Sequence, residues 1–285
     1  MSLIVTLNVF SGRPNPVWVV PDDVANEFDS RMSAISSITR LKPVGLVGGL
    51  GYRGFFVRRN EESQVTYIHG GIVDPGNISP ALIANDRELE RWLLSTAGDS
   101  INAEVRNHVS GSLDSPIDLE ATLLGDVSAS TCHPCAAADA PVYNPGMWNT
   151  TTVQPHNNCY NYANNQITGT FAQPGRASGH PITSLANCSS PSASAVSDGL
   201  HVVPNFSAPL GPGSGWYVAL VVWPGNDFHW YRQDKVGCWS HKPGSTPVRN
   251  VDNAGKAISD PTTANRGPYT LFCSYLVTKA GIHIR

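Results

Sequence analysis

Asn157-Asn158-Cys159-Tyr160-Asn161-Tyr162-Ala163-Asn164-Asn165-Gln166 decides how the second half of the chain is read, together with Phe228-His229-Trp230-Tyr231-Arg232 further along. Asn158 has the side chain of an N-cap, able to accept the N–H groups that a starting helix leaves without partners, which puts Cys159 at the first helical position. There the helix dipole and a nearby imidazolium both favour thiolate, so the pattern predicts a thiol of lowered pKa, as a nucleophile needs. His229, on an aromatic-rich strand, is then the base that takes the thiol proton and returns it to a leaving amine. A third polar group must hold the other imidazole nitrogen, and a position on the next strand of a hairpin can do so. His241 is that position if the turn is centred near Val236-Gly237, with Asp252 and Asp234 in reserve. An oxyanion hole would pair the Cys159 N–H with a side-chain amide just upstream, Gln154 first and Asn157 next.

Working outward, Trp216–Trp223 reads as a buried strand. Asp227–Asp234 and Cys238–His241 complete a meander, and Tyr269–Val277 reads as a further strand. Residues 126–150 and 172–215, rich in Ala, Ser, Pro and Gly, read as a linker and as long loops. The first part of the chain predicts a strand over 3–10, a short strand over 17–20 and a helix opening at Pro21-Asp22-Asp23. A hairpin over 51–57 and 64–69 and a helix over 85–94 follow. It carries no chemical motif, and Arg13 and Arg53 read as solvated turn arginines.

Composition separates these two parts. Residues 1–126 carry 16 acidic and 10 basic side chains, whereas 127–285 carry 6 and 9, hold all six cysteines and five of the seven Trp, and contain no Glu. Paired-carboxylate chemistry is therefore disfavoured in the second part, and acid–base work there falls to His. Only 14% of residues are charged, but 41% are apolar, which is enough for a core and argues against disorder. The net charge of −3 leaves no basic footprint for nucleic acid or a membrane surface. No apolar run is long enough to span a bilayer, and Met1–Phe10 alternates like a strand, not like a signal peptide. The expectation is a cytoplasmic protein or one exported by a signal-independent route. Cys132-His133-Pro134-Cys135 has the spacing of half a zinc site, with no second half in the sequence; a disulfide through Cys132 or Cys135, or unpaired loop thiols, are the other readings.

The order of a cysteine opening a helix, a histidine on an early strand of an antiparallel sheet and a polar residue on the next strand is similar to the papain-like superfamily. Asn-Cys-Tyr-Asn-Tyr-Ala and the spacing from His229 to His241 look most like the CHAP-type and related bacterial cell-wall hydrolases, over roughly residues 150–276. The resemblance implies an α+β chain with an accessory domain over 1–125, a linker over 126–150 and a papain-like catalytic domain over 151–285. It implies a cysteine hydrolase of amide bonds that needs no cofactor and acts on a peptide or peptidoglycan-like substrate, with Cys159, His229 and His241 as its centre. The chain departs from that pattern in its longer Cys-to-His gap and in lacking an Asp-Cys-Ser-Gly nucleophile signature. Two alternatives use the same residues differently: acyl transfer by the same dyad, or a non-enzymatic carbohydrate- or peptide-binding module whose groove is lined by Trp216, Trp223, Trp230 and Trp239.

Overall fold

The computed structural model describes residues 2–35, 49–60, 63–76, 82–84, 86–115, 132 and 135–285. The fold is mixed α+β. The chain forms two compact units, one of Met1–Val9, Asn15–Val47 and Gly51–Leu124, the other of Phe10–Pro14, Gly48–Leu50 and Gly125–Arg285.

The first unit is built on a six-stranded antiparallel sheet. Its strands are β1 (Leu3–Leu7), β2 (Val17–Val20), β3 (Phe55–Arg59), β4 (Thr66–His69), β5 (Ile72–Asp74) and β6 (Leu82–Ile83), in the order β2-β1-β3-β4-β5-β6. Alternation in β1 buries Leu3, Val5 and Leu7. Helix α1 (Asp22–Ala34) starts after Pro21 with two aspartates in its first turn, where the dipole favours them. Helix α2 (Glu88–Ser95) buries Leu89, Leu93 and Leu94. Helix α3 (Ala103–Asp114) was not among the expected elements: its stripe of Val105, Val109 and Leu113 is one residue wide, a weak sequence signal. Arg53 corrects the reading of a solvated turn arginine. It is 1% exposed and donates to Asn8 Oδ1 at 3.0 Å and Gly51 O at 2.9 Å.

The second unit carries a five-stranded antiparallel sheet of β7 (His201–Val203), β8 (Trp216–Trp223), β9 (Asp227–Gln233), β10 (Trp239–His241) and β11 (Leu271–Thr278), in the order β10-β9-β8-β11-β7. Strands β8 and β9 are buried along their whole length. Gly237, at φ 87°, supplies the left-handed residue that turns β9 into β10. Of the stretch read as a linker, residues 126–131, 133 and 134 lie outside the described residues. The rest is ordered structure: Asn144 caps helix α4 (Pro145–Trp148), and Trp148 is completely buried. Helix α5 (Cys159–Ala163) lies against β9 and β10. Helix α6 (Ser189–Ser197) and β7 stand within the stretch read as long loops; α6 has a Ser- and Ala-rich sequence with almost no apolar stripe. Two disulfides, Cys132–Cys238 and Cys188–Cys273, tie the loops to the sheet.

Candidate active site

Helix α5 is little more than one capped turn. Asn158 Oδ1 accepts the N–H groups of Tyr160 at 3.0 Å and Asn161 at 3.1 Å, and Asn161 Oδ1 accepts the Asn158 N–H at 3.2 Å, a reciprocal capping box. Cys159 therefore stands at the first helical position. A helix of this length has no stability of its own, so packing must hold it. Tyr160 lies 5.3 Å from the Trp230 ring, and the Tyr162 hydroxyl joins Ser240 Oγ at 2.6 Å and accepts from Arg232 Nη2 at 2.8 Å.

Register then sorts the side chains of β9 and β10 onto two faces. Trp230, Arg232 and Ser240 meet Tyr160 and Tyr162 of α5, while His229, Tyr231 and His241 alternate onto the other side, where the Cys159 charge acts on Tyr231. There His229 Nε2 and His241 Nδ1 are 2.9 Å apart, and His241 Nε2 is 3.0 Å from the Val251 carbonyl. The rings of Tyr231 and Tyr269 pack beside His229, 4.9 and 5.8 Å away. Both imidazoles are buried.

Strand β10 ends opposite Tyr231, and the N–H of Trp230, the next residue of β9, donates to the Cys159 sulfur. The expected lowering of the thiol pKa is not what results. Burial pushes the Cys159 thiol well up and the Asp227 charge adds to this; the Trp230 N–H, the Lys242 charge and the residue's own N–H pull it down without compensating. One turn of helix is too small a dipole to offset complete desolvation.

The other expected residues do different work. Asp234 pairs with Arg232 at 2.7 Å, both buried, and desolvation raises its pKa against the pull of that guanidinium. Asp252 holds the main-chain N–H groups of Ala254, Lys256 and Asn265. Gln154 donates to Ser245 O at 3.2 Å, and its own carbonyl accepts from Lys242 Nζ at 2.7 Å, so it braces the Lys242–Thr246 turn. Asn157 holds Thr168 N and Gly169 N, both at 3.1 Å. The zinc reading of Cys132 and Cys135 is corrected by the Cys132–Cys238 disulfide, because a sulfur in a disulfide is no thiolate ligand. Among the described residues no group of three or more His, Cys, Asp or Glu is arranged to hold a metal. Trp216, Trp223, Trp230 and Trp239 are 4, 2, 0 and 0% exposed, so they pack the core and do not face an open groove.

Asp227 is the residue that sequence reasoning passed over. At the buried start of β9 its carboxylate accepts the N–H groups of Ser11 at 2.5 Å and Arg13 at 2.9 Å, that of Gly12 at 3.2 Å, and the Tyr269 hydroxyl at 2.6 Å. Its pKa is nonetheless raised, since burial outweighs these donors. The available signal was a lone aspartate opening an otherwise apolar strand in a unit poor in carboxylates. Beside it lies a cavity of about 320 Å³ whose lining includes Arg13, Gln173, Leu185 and Phe228.

No family model matches the chain, and no solved structure matches it. Among curated proteins, insoluble matrix shell protein 1 of Ruditapes philippinarum is 48% identical to it over 134 residues, covering 47% of this chain and 87% of that protein. With nearly the whole of that relative aligned at this identity, the chain belongs to the family of insoluble matrix shell protein 1.

Proposed function

We propose that the second unit is a thiol hydrolase of amide bonds, in which Cys159 is the nucleophile, His229 the base and His241 the residue that orients it. The supporting observation is the chain from His229 through His241 to the Val251 carbonyl. A carbonyl only accepts, so His241 Nε2 carries the proton; in the neutral ring its Nδ1 is then bare and accepts from His229 Nε2–H. Neutral His229 is thereby held in the tautomer whose Nδ1 is unprotonated, ready to take the thiol proton. The thiolate attacks the amide carbonyl, the imidazolium protonates the departing amine, and water releases the acyl group by the reverse relay. Acyl transfer differs only in an amine replacing that water. A papain-like arrangement accommodates these roles, with Cys159 at a helix start and the histidines on paired strands.

A second reading is favoured by the name of the relative and by the complete burial of Cys159. In it the chain is an extracellular matrix component whose Cys–His cluster is a polar core. Both readings share one location, because two disulfides persist in an oxidising compartment and not in a reducing cytosol. A peptide library and peptidoglycan fragments, with and without an added amine, separate them. The hydrolase reading expects cleavage that is abolished in Cys159→Ala and falls by roughly 10²–10⁴-fold in His229→Ala. Unchanged turnover in Cys159→Ala, or none under any condition, leaves the matrix reading.

A further inference from the structure

We infer that Phe10–Pro14 is an internal strap lying in the peptide-binding groove of the Cys159 centre, and that this groove selects glycine where Gly12 lies. The inference rests on the thiol-centre reading above and adds to it a substrate class, a glycine-containing peptide, and a reason why the thiol is closed off.

Both polar groups of the Gly12 peptide are held as a bound peptide would be. Its carbonyl accepts from Asn158 Nδ2 at 2.8 Å and Gln173 Nε2 at 2.7 Å, and Asn158 is the residue immediately before Cys159. Its N–H, with those of Ser11 and Arg13 on either side, goes to the Asp227 carboxylate. Three consecutive amides on one carboxylate and two side-chain amides on one carbonyl amount to main-chain recognition, which does not depend on the side chains of the segment bound. Specificity comes from the space at Gly12. A Cβ there would stand 2.5 Å from the Phe228 ring, and Phe228 is completely buried and cannot yield cheaply. Gly12 is thus fixed by close approach, with no left-handed backbone involved. Past the buried Ser11 and Gly12 the strap emerges at the exposed Arg13, whose guanidinium donates to Asn226 O at 2.5 Å and lies 5.3 Å from the Phe10 ring, beside the cavity that Arg13 helps to line.

The test uses the full chain with its disulfides intact. Wild type, Gly12→Ala and Asp227→Asn are treated with iodoacetamide at neutral pH, and alkylation of Cys159 is read by peptide mass spectrometry against Cys135, the other free cysteine. Gly12→Ala forces the strap off the ring, and Asp227→Asn turns one acceptor oxygen into a donor facing main-chain N–H groups. Circular dichroism and melting show whether each variant is folded. The expected result in a folded variant is a rise in the Cys159 to Cys135 labelling ratio of at least about tenfold, as local opening exposes the thiol. In Gly12→Ala, which keeps the Asp227 carboxylate, acetyl-Ser-Gly-Arg-Pro-amide should reverse that rise, and acetyl-Ser-Ala-Arg-Pro-amide should not. If Gly12→Ala fails to fold, Asp227→Asn decides the strap by its labelling ratio, and the two peptides are scored on Gln173→Ala, which removes one donor to the Gly12 carbonyl and keeps that carboxylate. An unchanged ratio in the folded variants overturns the strap, and equal protection by the two peptides, or by neither, overturns the glycine groove. Turnover is scored separately, in the opened variants as well as in wild type: labelling that responds without cleavage in any of them defeats the hydrolase reading and leaves the strap standing, whereas cleavage lost in Cys159→Ala with labelling indifferent to Gly12 does the reverse.

Discussion

At the scale of single residues, Cys159 is governed by burial more than by its helix. Its raised pKa has a consequence for stability. In the folded chain the thiol keeps its proton above the pH at which the unfolded chain has lost it, so the unfolded state binds fewer protons there. The contribution is fully present below the ordinary thiol range, about pH 8.5, and is lost as pH rises through the folded value. Urea unfolding of the wild type should therefore lose stability above about pH 8.5 more steeply than Cys159→Ser does. Parallel slopes would show that the thiol meets the same environment in both states. The identity of Cys159 and His229 as candidates was legible because residue type and spacing carry it. The thiol's actual protonation was not, because desolvation depends on what covers a side chain, and no neighbour in sequence records that.

At the scale of elements, α5 depends on Asn158, which both caps the helix and donates to Gly12 and Ala172. Two substitutions separate these roles. Asn158→Asp keeps the acceptor for Tyr160 and Asn161 and loses the donor, whereas Asn158→Ala loses both. Asn158→Ala should cost about 1–2 kcal/mol for the cap alone, plus the price of leaving two buried carbonyls short of a donor. Asn158→Asp keeps the cap but turns a buried carboxylate oxygen toward the Gly12 and Ala172 carbonyls, so it should cost at least the second part and more at neutral pH than at acid pH, where the carboxyl is protonated and can donate to one of them. Midpoints of Asn158→Asp in chemical denaturation that do not change with pH would mean that these two carbonyls do not face the 158 side chain. Strands β8, β9 and β10 were legible because their period and the Gly237 turn are local properties. Helices α3 and α6 were not, since a one-residue stripe and a Ser-Ala repeat become helical only once a packing surface is supplied.

At the scale of the whole molecule, two disulfides close long loops of the second unit, with sequence separations of 106 and 85 residues. Closing such loops restricts the unfolded chain, so removing either bond should cost about 2–5 kcal/mol. Melting curves with and without reductant, compared with a Cys188→Ser/Cys273→Ser double variant, measure this. If reductant does not move the transition, the bonds do not form in the folded protein. The pairings could not be read from spacing, since any of the six cysteines could have met any other before the sheet brought Cys132 to Cys238 and Cys188 to Cys273.

By itself the sequence determined the mixed α+β class, the acidic and cysteine-bearing parts of the chain, the helix start at Cys159 and the hairpin that brings His241 beside His229. These follow from capping, period and turn chemistry, all of which act over a few residues. Only the tertiary structure decided that Asp227 would hold Ser11–Arg13 while Asp234 served Arg232, that Gln154 would brace a turn, and that the four sheet tryptophans would be core. Each of those outcomes turns on which buried polar group meets which donor across long stretches of chain. Such pairings are settled by the requirement that buried groups be satisfied wherever the fold places them, not by the order of residues along the chain.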